Sequence, residues 1–140
     1  ALNLNRTFVL PYMPEAYIGK EDPGKSHVAA YYTLAHQTLV REELPDPSRL
    51  PRCPVPVILL AQMGIDRQFH RQGLDAKTLI YALRHAYQIA SNPKGIPALG
   101  VVLDVLDQDA LAFYRSFDFF LLLSDTPTKL FVPMASLESL

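Results

Sequence analysis

The chain of 140 residues has a single cysteine and no tryptophan. One thiol, Cys53, excludes a disulfide framework and a cysteine-based zinc site. Glycine is scarce: 6 residues against 12 prolines, where usual composition runs nearer about 7% glycine and 5% proline. Long apolar runs are absent as well. The longest, Val55–Ala61 and Phe119–Leu123, are far too short to span a bilayer, so no membrane association is expected. No charged segment followed by an apolar stretch opens the chain, so no secretory signal is predicted and a cytoplasmic location is expected. The four histidines, at 27, 36, 70 and 85, show no i, i+4 pairing and no carboxylate company, so no metal site is expected.

What is present points to one globular domain over residues 1–140. Hydrophobic residues make up 49% of the chain, too many for a disordered segment and enough to close one core. The net charge of −1 advertises no nucleic-acid partner in bulk, but its distribution is uneven. Residues 49–94 sum to +5, whereas residues 1–48 sum to −2 and residues 95–140 to −4. A basic middle suits a phosphate-bearing ligand, and is also what a solvated helix face would carry.

The pattern along the chain predicts a strand at Arg6–Tyr12, then a polar turn at Gly19–Ser26. Residues 27–40 are rich in aromatic and β-branched side chains, yet Val28, Tyr32, Ala35 and Leu39 also fit a helical stripe. Five prolines fall within 45–56 and mark an extended loop. Val57–Ile65 reads as a central strand buried on both faces. Ala76, Leu79, Ile80, Leu83, Ala86, Tyr87 and Ala90 give Leu74–Ser91 a 3.6-residue stripe, and Asn92-Pro93-Lys94-Gly95 ends that helix. Ala98–Leu106 is a further buried strand, and Asp107 can cap a short helix over 108–117. Phe119–Leu123 and Lys129–Pro133 read as closing strands, which gives an α/β chain with a mixed sheet.

One motif misleads. Gly19–Ser26 (GKEDPGKS) matches the phosphate-binding loop pattern G-x-x-x-x-G-K-S in full. That chemistry requires a buried strand immediately before the loop and a helix immediately after it. Pro14–Ile18 is a poor central strand, and Glu21 and Asp22 inside the loop would oppose phosphate. A nucleotide binder is therefore a distant alternative, and a hairpin turn is the simpler reading.

A different segment carries more chemistry. In residues 57–76 a buried strand runs into HRQGLDA and then into the long helix, which makes an anion site from a helix N-terminus. His70 and Arg71 add positive character there. Further on, ALAFYRSFDF at 110–119 places Tyr114 on a short helix directly after the second buried strand. Phe113, Tyr114 and Phe117 could equally be core aromatics. If strands 57–65 and 98–106 are parallel neighbours, however, a ligand passing between their C-terminal ends would meet Tyr114.

The sequence of strand, FHRQGLDAKTL at 69–79, strand and ALAFYRSFDF resembles the GNAT superfamily, the Gcn-related N-acetyltransferases. It is most similar to the acetyltransferase toxins of bacterial toxin–antitoxin pairs. RTFVL at 6–10, VAAYYTLA at 28–35, the proline-rich lead into PVPVILLAQMGID at 54–66, and LFVPM at 130–134 match that subgroup in order and wording. The resemblance covers nearly the whole chain. It makes residues 27–40 a strand and implies a mostly antiparallel mixed sheet with a splayed central parallel pair and flanking helices. It also implies that acetyl-CoA is the cosubstrate. Met63, Gly64 and Ile65 would pair with the pantetheine arm, and His70, Arg71, Gln72, Gly73, Leu74, Asp75 and Ala76 would receive the diphosphate. Phe113 would stand beside the cofactor, and Tyr114 would protonate the departing thiolate. For the toxin subgroup the implied acceptor is the α-amine of an aminoacyl-tRNA, so that acetylation blocks translation. A homodimer and a ribbon-helix-helix antitoxin are the implied partners.

The sequence departs from that pattern at three positions. Asp75 stands where the family has Gly or Ala, Asp118 where it has Gly, and Ala30 where it has Gly. A carboxylate at position 75 competes with a diphosphate for the same positive helix end, unless its side chain points to solvent. Relatives carry a further strand and helices before the RTFV strand, so the resemblance implies that an N-terminal helical part is missing and that this chain is trimmed or a fragment. Two alternatives remain: a GNAT enzyme acting on a small amine or a protein amine, and a degenerate GNAT-fold binding module with weakened CoA affinity.

Overall fold

The computed structural model describes residues 5–11, 28–39, 55–70, 72–94, 97–105, 107–123 and 126–140. Along the chain run strands β1 (Arg6–Pro11), β2 (Val28–Leu39) and β3 (Val55–Ile65), helix α1 (Leu74–Ser91) and strand β4 (Gly100–Asp104). Helix α2 (Gln108–Arg115), strands β5 (Leu121–Leu123) and β6 (Thr126–Pro133), and the single turn α3 (Met134–Leu137) complete it. The six strands form one sheet in the order β1-β2-β3-β4-β6-β5. Every neighbouring pair is antiparallel except β3 and β4.

Element order matches the sequence pattern, and α1 has the predicted bounds. β4 is shorter than the apolar run 98–106, and β6 begins before Lys129. Residues 28–39 are strand throughout, so the competing helical stripe does not form. A 12-residue strand paired on both sides satisfies its backbone through β1 and β3, and its β-branched and aromatic side chains suit that surface. The Gly19–Ser26 motif lies outside the described residues. The described chain resumes at Val28 as a strand rather than a helix, so the helix N-terminus that phosphate chemistry requires is not there.

The parallel pair is brief. Its register consists of Ile58 with Val101 and Leu59 with Val102, after Leu99 N–H has bonded the Pro56 carbonyl at 2.9 Å. β3 then continues to Ile65 with only β2 beside it. The cause is a β-bulge. Thr33 pairs with Gln62 but Leu34 pairs with Leu60, which leaves Ala61 as an extra residue on β3. A bulge bends its strand and raises the local twist. It also resets side-chain parity, so that Leu60 and Met63, three residues apart, both pack on the same core cluster.

That cluster lies on the sheet face covered by α1 and α2. Tyr32, Leu34, Ile58, Leu60, Val101, Leu103, Leu130 and Val132 meet Leu79, Ala82, Leu83, Ala86 and Leu111 there. A smaller cluster on the opposite face joins Leu39, Val55, Val57, Val102 and Phe131. Strands 55–60 and 100–103 are thus buried on both faces, as their near-continuous apolar sequence requires. Among the described residues no helix is long and apolar enough to cross a membrane.

Candidate active site

The bulge at Ala61 turns the end of β3 away from β4 and opens a cleft of about 380 Å³. Gln62 and Met63 line it from β3, Leu103 and Asp104 from β4, Val105 just after it, Tyr31 from β2, and Ala110 and Tyr114 from α2. The lining draws on both sheet faces. The cleft therefore passes through the sheet where its central strands part.

Tyr114 is the candidate acid. Asp107 caps α2 by accepting the Asp109 N–H at 3.1 Å, so the helix starts immediately after β4 and directs Tyr114 back over the cleft. Phe113 meets Tyr114 edge-on with ring centroids 5.1 Å apart, and Phe120 meets it at 5.9 Å. This cage holds the phenol half-buried. Burial, with the Asp75 carboxylate as a second cause, pushes its pKa above the ordinary 10. The phenol consequently keeps its proton through the whole neutral range.

The second part is the start of α1. Gly73 is the N-cap, with φ of 80°, a left-handed conformation that costs other L-residues energy. A Cβ built there would meet nothing within 4 Å, so it is the backbone angle and not crowding that calls for glycine. The Gly73 carbonyl accepts the Lys77 N–H at 3.2 Å, which starts an 18-residue helix whose positive end faces the loop. The predicted loop residues then divide. His70 turns back, its Nε2 bonded to the Ile65 carbonyl at 3.0 Å, and Gln72 donates to the Gln68 carbonyl at 2.8 Å. Both hold the loop's shape. Arg71 lies outside the described residues. Leu74 is half-buried, and its carbonyl accepts the buried Thr78 hydroxyl at 2.7 Å.

Asp75 is half-buried. Its Oδ1 accepts the Ala76 N–H at 2.8 Å, and its charge raises the Tyr114 pKa. One N–H of the helix end is thereby already in use. The remaining features fit an extended thioester carrier: a glycine-capped helix end for a diphosphate, and a strand edge from Gln62 to Ile65 without a β4 partner for an amide-bearing arm. Met63 lines the cleft, while Gly64 and Ile65 continue the β2 ladder through Tyr31 and Ala30. Phe113 is half-buried against the core, with its ring edge-on to Tyr114 and Phe117.

Sequence reasoning missed two tyrosines. Tyr31 lines the cleft opposite Tyr114, and Tyr32, on the other face of β2, shares a 2.8 Å hydrogen bond with His85 Nδ1 on α1. Adjacent residues of a strand face opposite sides of the sheet, and this is the signal that could have separated them. No group of three or more His, Cys, Asp or Glu among the described residues is placed to hold a metal.

Comparison with known proteins bears on this cleft. No protein-family model matches the chain. The chain is 33% identical over 94 residues to the tRNA-acetylating toxin of Mycobacterium tuberculosis, an alignment of 66% of the chain and 54% of that toxin. It thus spans about half the length of that curated relative. Among solved structures it is similar to AtaT complexed with acetyl-methionyl-tRNAfMet, with a TM-score of 0.78 and 25% identity over 97% of the chain and 75% of AtaT. AtaTR bound with AcCoA superposes with a TM-score of 0.73 at 25% identity, over 97% of the chain and 74% of that chain. A tyrosine-to-phenylalanine mutant of KacT gives a TM-score of 0.78 at 22% identity, over 97% and 75%, a likeness of fold.

Proposed function

We propose that this chain, which has the GNAT fold of these toxins, is an acetyl-CoA-dependent N-acetyltransferase that acetylates the α-amine of an aminoacyl-tRNA and so blocks translation. Residues 1–140 would act as one domain, in the cytoplasm, as a homodimer with a ribbon-helix-helix antitoxin. The observation that carries the reading is the half-buried Tyr114 phenol facing the parted strands β3 and β4, next to a glycine-capped helix end. A tRNA-acetylating toxin as curated relative and the likeness to AtaT complexed with acetyl-methionyl-tRNAfMet support the acceptor class.

The chemistry is set by these groups. The pantetheine arm lies along the free edge of β3 at Met63, Gly64 and Ile65, and the diphosphate sits at Gly73 through Ala76. The neutral acceptor amine attacks the thioester carbonyl, and a backbone N–H of β3 stabilises the oxyanion. As the C–S bond breaks, Tyr114 gives its proton to the thiolate, and the proton lost by the ammonium returns through water to the Tyr114 phenolate. An α-amine has a pKa of about 8, so a substantial neutral fraction exists without a dedicated base. A thiol pKa near about 8.5 lies below that of the phenol, so Tyr114 acts only as charge develops on sulfur.

Labelled acetyl-CoA incubated with charged tRNA, and in parallel with free amino acids and small amines, tests the acceptor. Label is expected on the aminoacyl group of the RNA. Label confined to free amines would favour the small-amine reading, and the absence of acetyl-CoA binding would favour the binding-module reading.

A further inference from the structure

Tyr31 and Tyr32 are adjacent on β2 and point to opposite sheet faces. Tyr32 points toward α1, where it meets His85. Tyr31 points to the face away from α1, and its register partner on β3 is Gly64. Its ring lies directly over that glycine. A Cβ built on Gly64 would run into Cε1 of Tyr31 and stand 2.8 Å from Cζ and 3.0 Å from Oη. Only hydrogen fits beneath the ring. Yet Tyr31 is 37% exposed, and it lines the cleft that also holds Tyr114.

The arrangement gives the cleft two ends. The helix end proposed for the diphosphate belongs to α1, on the Tyr32 face. An acceptor must therefore enter from the opposite face, and Tyr31 stands at that entrance. A ring held against backbone has little conformational freedom left to lose when a ligand covers it. It offers an apolar face to an aminoacyl side chain and a hydroxyl to a polar atom beside it.

We infer that Tyr31 is the acceptor-side wall of the cleft and selects the aminoacyl group, with Gly64 as the seat that fixes its ring. The inference rests on the acetyl-transfer reading and deepens it. Tyr31 takes no part in proton transfer, so it acts on acceptor affinity and choice while Tyr114 acts on turnover.

The test uses Tyr31→Ala, Gly64→Ala and the double variant, with initial rates against acetyl-CoA and charged tRNA and with equilibrium binding of charged tRNA alone. Tyr31→Ala is expected to raise the acceptor KM about tenfold, the size of one lost aromatic contact, with kcat and the acetyl-CoA KM changed less than about twofold. Gly64→Ala drives the ring into the cleft and lowers kcat/KM further. Removing the ring relieves that clash, so the double variant should return to the level of Tyr31→Ala. An unchanged acceptor KM in Tyr31→Ala, or a double variant no better than Gly64→Ala, overturns the proposal. Wild-type protein that binds charged tRNA without acetylating it overturns the transfer reading instead, and weaker binding by Tyr31→Ala then still supports the wall.

Discussion

Asp75 is where one side chain matters most to the chemistry. Its carboxylate takes the Ala76 N–H and raises the Tyr114 pKa, so it acts on both the carrier and the acid. A diphosphate arriving at that helix end must compete with a resident anion. Asp75→Ala is expected to tighten acetyl-CoA several-fold in a calorimetric titration, even though the helix loses a favourable first-turn charge. The same change acts on pH dependence. Tyr114 donates only while protonated, and burial and the Asp75 charge both hold its pKa above 10. Removing the carboxylate leaves burial alone, so the alkaline limb of kcat should move to lower pH in Asp75→Ala. An alkaline limb that stays in place would show that the two groups do not interact. The sequence put an acid at the start of the helix, but its electrostatic coupling to Tyr114 arises from tertiary structure, so local pattern could not supply it.

Among the strands and helices, the bulge at Ala61 makes the site. Without it β3 would keep its register and stay closer to β4. Nothing in VPVILLAQMGI announces the extra residue, because an alanine bulge needs no special composition. The glycines are more readable in retrospect. Gly73 needs its positive φ and has open space around it, so Gly73→Ala should cost about 1–2 kcal/mol of stability. Gly100 has the opposite problem: a Cβ there would strike the Val132 carbonyl oxygen. Gly100→Ala must displace backbone of β6, and denaturant titration should rank it as the more damaging change. His85 adds a pH effect. Burial lowers its pKa below the ordinary 6.5, and its Nδ1 shares a hydrogen bond with the Tyr32 phenol. A base with a lowered folded-state pKa gives stability that is present above the unfolded value and lost as pH falls through the folded one. The melting temperature should therefore fall on acidification below about pH 6.5, and fall less in His85→Gln. Equal losses in both proteins would assign the effect to other groups.

For the molecule as a unit, architecture was readable and fine placement was not. Apolar runs at 57–65 and 98–106 bracketing an amphipathic 74–91 determine a β-α-β crossover, and its parallel pairing results from that connection. The flanking strands are antiparallel neighbours, and only β5 and β6 are joined by a short connection. The ambiguity over residues 28–39 was resolved by tertiary pairing: a strand with partners on both sides outweighs a helical stripe of four residues. The single turn α3 and the place of Tyr31 in the cleft depend on packing that no local pattern encodes. These features converge on one cleft, entered from two faces and lined by one acid.

That convergence is tested by comparing wild-type protein with Tyr114→Phe in single-turnover acetyl transfer to charged tRNA, alongside acetyl-CoA binding. The account predicts transfer slowed by about 10²-fold or more, the usual contribution of a general acid, with acetyl-CoA affinity unchanged within about twofold. Transfer by Tyr114→Phe at the wild-type rate would contradict it.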